Sequence, residues 1–295
     1  MAASSRPSNA EKLEFCKKLV TFLKKRYKTS VPKQDDPVLQ TMLLAVCLEN
    51  STLEEAQASL KQMETDFHDL NEIRVSSIAE LVVSLQNQAD AEHRAHEIRN
   101  ILQYVFEKMF SFEFESFRKK NVEQATKILN KIRNLSSFVK LFVMQHCLGS
   151  HVIPLDRQMT GALIWLGLLE PNTGPEAGSE NIKSCIRKNE AADFCHYLRC
   201  LSTDEKLKDH FLRAASNSSG EAPPLHDGLN RLAKLIENPR AAAKIAAKTK
   251  RVKKPPVSAK PSRRAATVKS PAKKTASKKV ATKKTVVKKR AAKKK

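Results

Sequence analysis

Residues 121–156 of the chain read NVEQATKILNKIRNLSSFVKLFVMQHCLGSHVIPLD. Apolar residues recur at helical spacing between 121 and 132 and again between 138 and 147, which predicts two helices. The polar stretch between them is typical of a turn. Asp156 follows Pro154 and Leu155 and is a favoured N-cap residue, so a third helix is predicted from there to Leu168. This stretch therefore predicts two helices joined by a short turn, with an aspartate at the start of a third.

The same helical periodicity runs through most of the chain, whereas strand-like alternation is nearly absent and only seven glycines occur. The sequence therefore predicts an all-α fold. Residues 171–179 are rich in Pro, Gly and small polar side chains, which predicts a loop. The remaining helices are predicted at 11–27, 38–48, from Ser51 or Thr52 onward, 77–85, 93–109, 180–187, 190–201, 204–215 and 225–236.

Charge is distributed unevenly along the chain. Of the 54 Lys and Arg residues, 23 lie between Arg240 and Lys295, and none of the 31 Asp and Glu residues does. The residues before Arg240 are therefore neutral on balance. The C-terminal segment has no aromatic residue, so it offers neither a core nor a stacking surface for bases. Like charges over such a length repel one another, and residues 239–295 are predicted to be a disordered tail.

A polycation of this kind displaces counterions from a phosphate backbone, which gives strong, salt-sensitive and sequence-independent binding to nucleic acid. The unit 269–274 (KSPAKK) resembles the tails of linker histones. A solubility tail or a localisation signal is the alternative, and an anionic membrane is a second candidate partner, although no apolar face or lipidation signal accompanies the charge. The tail residues predicted to bind DNA are Lys253, Lys254, Arg263, Arg264, Lys273, Lys274, Lys278, Lys279, Lys283, Lys284, Lys288, Lys289 and Arg290.

The chain before the tail is expected to form one folded unit. Residues 11–238 are long enough for one large domain or two lobes with their own cores, and residues 1–10 are predicted to be disordered. No apolar run approaches the roughly 18–20 residues that span a bilayer, and the first ten residues lack the apolar core of a secretory signal. We therefore expect a cytoplasmic protein associated with nucleoid or chromatin, which in a eukaryote would be nuclear.

The six cysteines are scattered without any CxxC pair, and the closest spacing is that of Cys195 and Cys200. Zinc and iron–sulfur sites normally use tighter pairs. We expect buried free thiols in a reducing compartment. The sequence predicts neither a metal site nor another cofactor.

The helix pair at 121–147, the segment 153–156 and the run 163–169 together resemble the HhH-GPD superfamily, the endonuclease III-like DNA glycosylases of base-excision repair. Gly149 lies seven residues before Asp156, and Leu166-Gly167-Leu168 ends the next helix, both at the family's spacing. The resemblance covers about residues 11–215. It implies two helical lobes with a cleft between them, into which the family flips a base out of the duplex.

The resemblance also implies where the domain would contact DNA. In the family, the turn between the paired helices offers backbone N–H groups to one phosphate. The matching residues 132–136 are Ile-Arg-Asn-Leu-Ser, without the family's two glycines. Asn134 is the residue that tolerates a left-handed backbone there. Asn134, Ser136 and Ser137 are the residues that would contact DNA.

Three further departures from the family bear on chemistry. Phe138 occupies the position of the Schiff-base lysine of bifunctional members, and Lys140 is predicted to point away from the cleft, so lyase activity is not expected. Asn50 stands where the family has a glutamine in the turn before Thr52. The four-cysteine cluster motif of many members is missing.

Asp156 is the one catalytic position that matches the family, in which the aspartate stabilises positive charge on the sugar and can orient a water. It is equally a favoured N-cap, and both roles stay open at this point. The first hypothesis is a monofunctional DNA N-glycosylase held on double-stranded DNA by its tail, and the sequence slightly favours it. The alternative is a catalytically inactive DNA-binding, chromosome-packaging or lesion-sensing protein on the same fold. A helical scaffold for proteins is a third, although no protein partner is required.

Overall fold

The computed structural model describes residues 7–32, 35–86, 88–216 and 223–238. These residues form α-helices and three short 3-10 helices and contain no β-strand, which confirms the predicted all-α class. The predicted tail, 239–295, lies outside the described residues, as do its DNA-binding positions. The α-helices are α1 Asn9–Tyr27, α2 Val38–Leu48, α3 Leu53–Asp66, α4 Leu70–Val75, α5 Ile78–Ser84, α6 Ala91–Met109, α7 Val122–Leu129, α8 Ser137–Leu148, α9 Arg157–Leu166, α10 Pro175–Lys183, α11 Ala191–Ser202, α12 Lys208–Ser216 and α13 Gly228–Glu237.

Most helices begin where the sequence places an N-cap. Helices α1, α3, α5 and α7 each start with a capping box, in which the N-cap side chain and the third helical residue satisfy each other's backbone N–H groups. In α1 the pair is Ser8 and Glu11, so the helix begins at Asn9, two residues before the expected start. Local sequence therefore accounts for these helix starts.

The prediction of a loop over 171–179 was wrong for its second half. Helix α10 starts at Pro175, after Gly174 as the N-cap. Proline is favoured in the first turn of a helix because its missing N–H would have no partner there, so the residue that suggested a loop is the one that begins the helix. The short helix α4, capped by Asp69, was not predicted because six residues give too little periodicity to detect.

Helix α2 lies at the centre of the first lobe, which comprises α2–α8. Nine of its eleven residues are buried, and it packs against α3, α6 and α8. In the second lobe, α9 packs against α11, α12 and α13, and α1 packs against α11. One continuous hydrophobic core runs through both lobes. The start of α9 meets the turn that follows α2, and that turn also contacts Ser136 in the turn after α7. This junction carries the candidate site.

Two glycines fix the position of α9. A side chain at Gly161 would place its Cβ 2.3 Å from the carbonyl oxygen of Phe211, so glycine is what allows α9 and α12 to pack so closely. Gly167 ends α9 with a φ of 86°, a left-handed conformation that favours glycine. No helix within the described ranges is long and apolar enough to cross a membrane.

Candidate functional site

Asp156 caps α9 and is 1% exposed. Its Oδ1 accepts a hydrogen bond from the N–H of Met159 at 2.8 Å, and its Oδ2 accepts one from the N–H of Asn50 at 3.1 Å. The guanidinium of Arg199 lies 3.7 Å from Oδ2. Both carboxylate oxygens are thus engaged within the protein, and the side chain has almost no contact with solvent.

Asn50 binds the turn after α2 to the start of α9. Its backbone is left-handed, with a φ of 55°. The N–H of Gln158 donates to its Oδ1 at 3.3 Å, and the side-chain amide of Gln158 donates to its carbonyl at 3.2 Å. Asn50, which stands at the family's glutamine position, therefore joins the two lobes through its side chain and its backbone.

Arg199 reaches the same junction from α11 and is buried. Its Nη1 donates to the carbonyl of Leu48 at 2.8 Å, and its guanidinium lies 5.0 Å from the centre of the Phe138 ring. Burial lowers the pKa of Arg199, and the nearby Asp156 opposes that shift. At the position of the family's lysine, the chain thus has a buried aromatic ring that supports an arginine.

The turn between α7 and α8 contains the three residues predicted to contact DNA. Asn134 has the left-handed backbone expected of it, with a φ of 55°, and is exposed. Ser136 caps α8, and Ser137 is the first residue of that helix. The N–H of Ser136 donates to Oε1 of Glu97 at 2.7 Å, and its hydroxyl donates to Oε2 of Glu49 at 2.7 Å. The site that would hold a phosphate oxygen at Ser136 is therefore occupied by the protein's own carboxylates.

Glu49 and Glu97 have unusual protonation properties because of this position. Burial raises the pKa of Glu97 to about 7, and the hydrogen bond from the backbone of Ser136 only partly opposes it. Burial also raises the pKa of Glu49, and the negative charge of Asp156 adds to that effect. The buried Arg94 donates mainly to backbone carbonyls of residues 46 and 49, so it neutralises these carboxylates only in part.

A cavity of about 90 Å³ lies beside the junction, between α2, α3, α8 and α11. The ring of His146 stacks on that of Phe142 with their centres 3.8 Å apart, and both line the cavity together with His196 and Arg199. Burial lowers the pKa of His146 to about 4, so this ring is neutral at neutral pH. Neither Asp156 nor Ser136 lines the cavity. In this conformation the aspartate and the cavity are separate features.

Sequence reasoning missed the roles of Arg94, Glu97 and Arg199. Arg94 and Glu97 lie on α6 within one turn of the buried Ala95 and Ile98, so their spacing could have identified two charged residues on an inward face. Arg199 lies among the apolar residues of α11 in the same way. The periodicity marks such residues as buried, but it does not show which groups they contact.

All six cysteines are free, and five of them are buried. No group of three His, Cys, Asp or Glu side chains within the described ranges could hold a metal ion.

No family model and no curated protein matches the sequence. Among solved structures, an endonuclease III trapped as a covalent intermediate with DNA superposes on 75% of this chain and 98% of its own, with a TM-score of 0.50 and 12% identity. A thermostable thymine-DNA glycosylase has a TM-score of 0.48 at 13% identity, over 66% of this chain and 87% of its own. The 3-methyladenine DNA glycosylase of H. pylori bound to 1,N6-ethenoadenine has a TM-score of 0.47 at 14% identity, over 64% of this chain and 95% of its own.

The similarity to endonuclease III identifies the fold. Its structure is covered almost completely, and the order of the helices around the turn at 133–137 and Asp156 is the order that the sequence resemblance implied. The described part of this chain therefore has a divergent endonuclease III-like fold.

Proposed function

We propose that this protein binds double-stranded DNA and that Asp156 stabilises its fold instead of acting in catalysis. The observation that carries the proposal is the engagement of both Asp156 oxygens in a side chain that is 1% exposed. The likeness to an endonuclease III that was trapped on DNA supports DNA as the partner. The polycationic composition of residues 239–295 supports binding through phosphates.

A catalytic carboxylate must come within hydrogen-bond reach of the reacting group or of an attacking water. To do so, Asp156 would have to give up its cap on α9, which is worth about 1 kcal/mol. It would also lose the bond from Asn50, which is worth roughly 1.5–3 kcal/mol because the acceptor is charged. Arg199 would then be left buried without its carboxylate. We infer that exposing Asp156 is unfavourable by several kcal/mol.

The cavity beside Arg199 favours a second candidate, a DNA N-glycosylase without lyase activity. Its aromatic walls, Phe142 and His146, are suited to stacking on a planar ring. This candidate requires the lobes to open, because Asp156 does not line the cavity. Phe138 has no amine, so the candidate would not form a Schiff base.

Base release by the full-length protein distinguishes the two candidates. Duplexes that contain uracil, 3-methyladenine, ethenoadenine or thymine glycol should be bound without release of the base, under conditions in which a known glycosylase acts on each. Base release by the wild type that disappears in Asp156→Asn, at unchanged DNA affinity and melting temperature, would show that the second candidate is correct.

A structural role for Asp156 also predicts a loss of stability. Asp156→Ala should lower the free energy of unfolding by about 3 kcal/mol, because it removes the cap and leaves Arg199 without a counter-charge. Asp156→Asn should have a smaller effect because it keeps one acceptor oxygen. Urea unfolding measures both, with Asp209→Ala, an exposed aspartate on α12, as the control. Equal and small effects of Asp156→Ala and the control would contradict this role.

A further inference from the structure

The segment that leads into and out of the α7–α8 turn is strongly basic. Residues 118–140 contain seven Lys and Arg residues and a single acidic one, Glu123. Five of the basic side chains are exposed and lie on α7 or next to its ends. We call them the α7 surface, and they are Lys119, Lys120, Lys127, Lys131 and Arg133.

Most of this charge has no acidic partner in the part of the chain that the structure describes. Among the described residues, only Lys127 of the α7 surface forms an ion pair, with the exposed Glu123 at 2.6 Å. On α1, by contrast, Lys18, Lys24 and Arg26 pair with Glu14, Asp193 and Asp204, which leaves half of its basic residues without an ion pair among the described residues. Unpaired like charges held close together repel one another, and a polyanion that lies across them relieves this repulsion.

The N–H and hydroxyl groups at Ser136 are not free to bind a phosphate, whereas the side chains of the α7 surface are exposed. The N–H and hydroxyl of Ser136 are already directed to Glu97 and Glu49, and the N–H of Val139 donates to Oγ of Ser136 at 3.1 Å. A phosphate at these groups would have to displace two carboxylates of its own charge sign. Lys131 and Arg133, in the first half of the connection between α7 and α8, have no such competitor among the described residues.

The opposite charge is concentrated elsewhere in the domain. Residues 50–92, which form α3, α4, α5 and the start of α6, contain nine Asp and Glu residues against two Lys and Arg residues. All nine are exposed, and none of them forms an ion pair with a described residue. The folded part is therefore neutral overall but electrically polarised. Residues 50–92 repel a polyanion, whereas the α7 surface attracts it.

We propose that the α7 surface is the face by which the folded domain contacts DNA, through Lys and Arg side chains on phosphates instead of through the N–H groups of the turn. The proposal rests on the proposed function, and it adds a contact surface that is separate from the C-terminal tail. Such contacts position the duplex without reading its sequence.

The test uses the full-length protein and two variants with the same change in charge. The first carries Lys119→Gln, Lys120→Gln, Lys131→Gln and Arg133→Gln. The control carries Lys25→Gln, Lys28→Gln, Arg187→Gln and Lys188→Gln, which are exposed and unpaired among the described residues. Affinity for a 30-base-pair duplex is measured across salt concentrations, because each phosphate contact contributes about 0.9 to the slope of log affinity against log salt.

The variant of the α7 surface should lower this slope by about 3 and weaken binding at physiological salt by at least roughly tenfold. The control should change the slope by less than about 1. A gain-of-function variant excludes misfolding as the cause of any loss: Glu123→Gln removes the one acidic side chain of the segment and should strengthen binding.

Absence of DNA binding by the wild type would refute the proposed function itself. Wild-type binding with equal losses in the two quadruple variants would leave the proposed function intact and overturn the inference. A loss of binding to phosphatidylserine vesicles, with duplex affinity unchanged, would also overturn it and would assign the surface to a membrane.

Discussion

Ser136 lies where three helices meet, and each of its polar groups has a partner. Its N–H and hydroxyl donate to carboxylates of α6 and of the residue after α2, while its Oγ accepts from the backbone of α8. Two carboxylates are thereby held near a third, that of Asp156. Their charge is unfavourable in a buried setting, so the stability of this junction depends on pH.

Replacement of Glu97 by a neutral side chain should flatten that dependence. Burial raises its pKa to about 7 from an ordinary value of 4.5. The folded state therefore binds more protons than the unfolded chain between these two pH values, and the contribution of Glu97 to stability falls as the pH rises through this window. Relative to the wild type, Glu97→Gln should gain up to about 3 kcal/mol in unfolding free energy between pH 5 and pH 8.

Urea unfolding at both pH values measures this gain. Glu92→Gln, an exposed substitution on the same helix, is the control and should follow the wild type. If Glu97→Gln and the wild type lose stability in parallel, the carboxyl of Glu97 is already ionised at pH 5 in the folded state.

At the scale of elements, α9 connects the site to the second lobe. Asp156 fixes its first turn, Gly161 allows close packing on α12, and Gly167 ends the helix. Asn50 joins the first turn of α9 to the turn after α2, and Arg199 of α11 lies beside Asp156. A change in the packing of α9 on α12 should therefore shift the position of Asp156.

Gly161→Ala tests this connection. Its Cβ would meet the backbone of Phe211 at 2.3 Å, and backbone cannot rotate away as a side chain can. We expect a loss of about 2–4 kcal/mol in unfolding free energy, beyond the usual range for overpacking by one methyl group, because α12 has to shift. Thermal melting measures the effect, and Gly174→Ala, where no atom lies within 4 Å of the added Cβ, is the control. Equal melting temperatures for the two variants would show that α12 moves freely.

Helix starts could be predicted where the capping residues lie close together in the sequence. Capping boxes such as Thr52 with Glu55 or Asn121 with Gln124 involve residues three apart, and the predicted starts of those helices agree with the structure. Helix α10 was misplaced because Pro175 and Gly174 are common in loops and at helix starts alike. Proline thus marks a boundary, but the residues around it do not show on which side the helix lies.

At the scale of the whole molecule, charge is separated twice. The chain before Arg240 is neutral while the last segment is strongly cationic, and the folded part is itself divided between the acidic 50–92 region and the α7 surface. If both cationic regions bind DNA as proposed, one chain makes two contacts with a duplex. Linked contacts of this kind raise the overall affinity above that of either alone.

Deletion of residues 239–295 should remove most of the salt dependence. The described hydrophobic core lies wholly before residue 239, so the shortened chain is expected to fold. Without 23 cations, the slope of log affinity against log salt should fall to the few units that the α7 surface supplies. Measurement of duplex binding by the full and shortened chains tests this, and an unchanged slope would refute the role of the tail.

The sequence by itself determined the all-α class, most helix starts, the glycine-free turn and the separation of charge. These properties depend on composition or on residues within about one helical turn of each other, so they can be read along the chain. The tertiary structure decided which groups the candidate residues contact. Asn50 and Asp156 are 106 residues apart, Glu97 and Ser136 are 39 apart, and Glu49 and Ser136 are 87 apart.

Burial and hydrogen-bond partners are properties of side chains that meet only after the helices have packed. Asp156 is an N-cap by local sequence, but its isolation from solvent and its contact with Arg199 come from the meeting of α9 with α2 and α11. The same packing gives Ser136 two carboxylate partners, Glu97 and Glu49. For this protein the sequence named the candidates, and the packing of the two lobes gave them their buried partners. Because the carboxylate of Asp156 is surrounded by protein donors, we propose that it stabilises the fold.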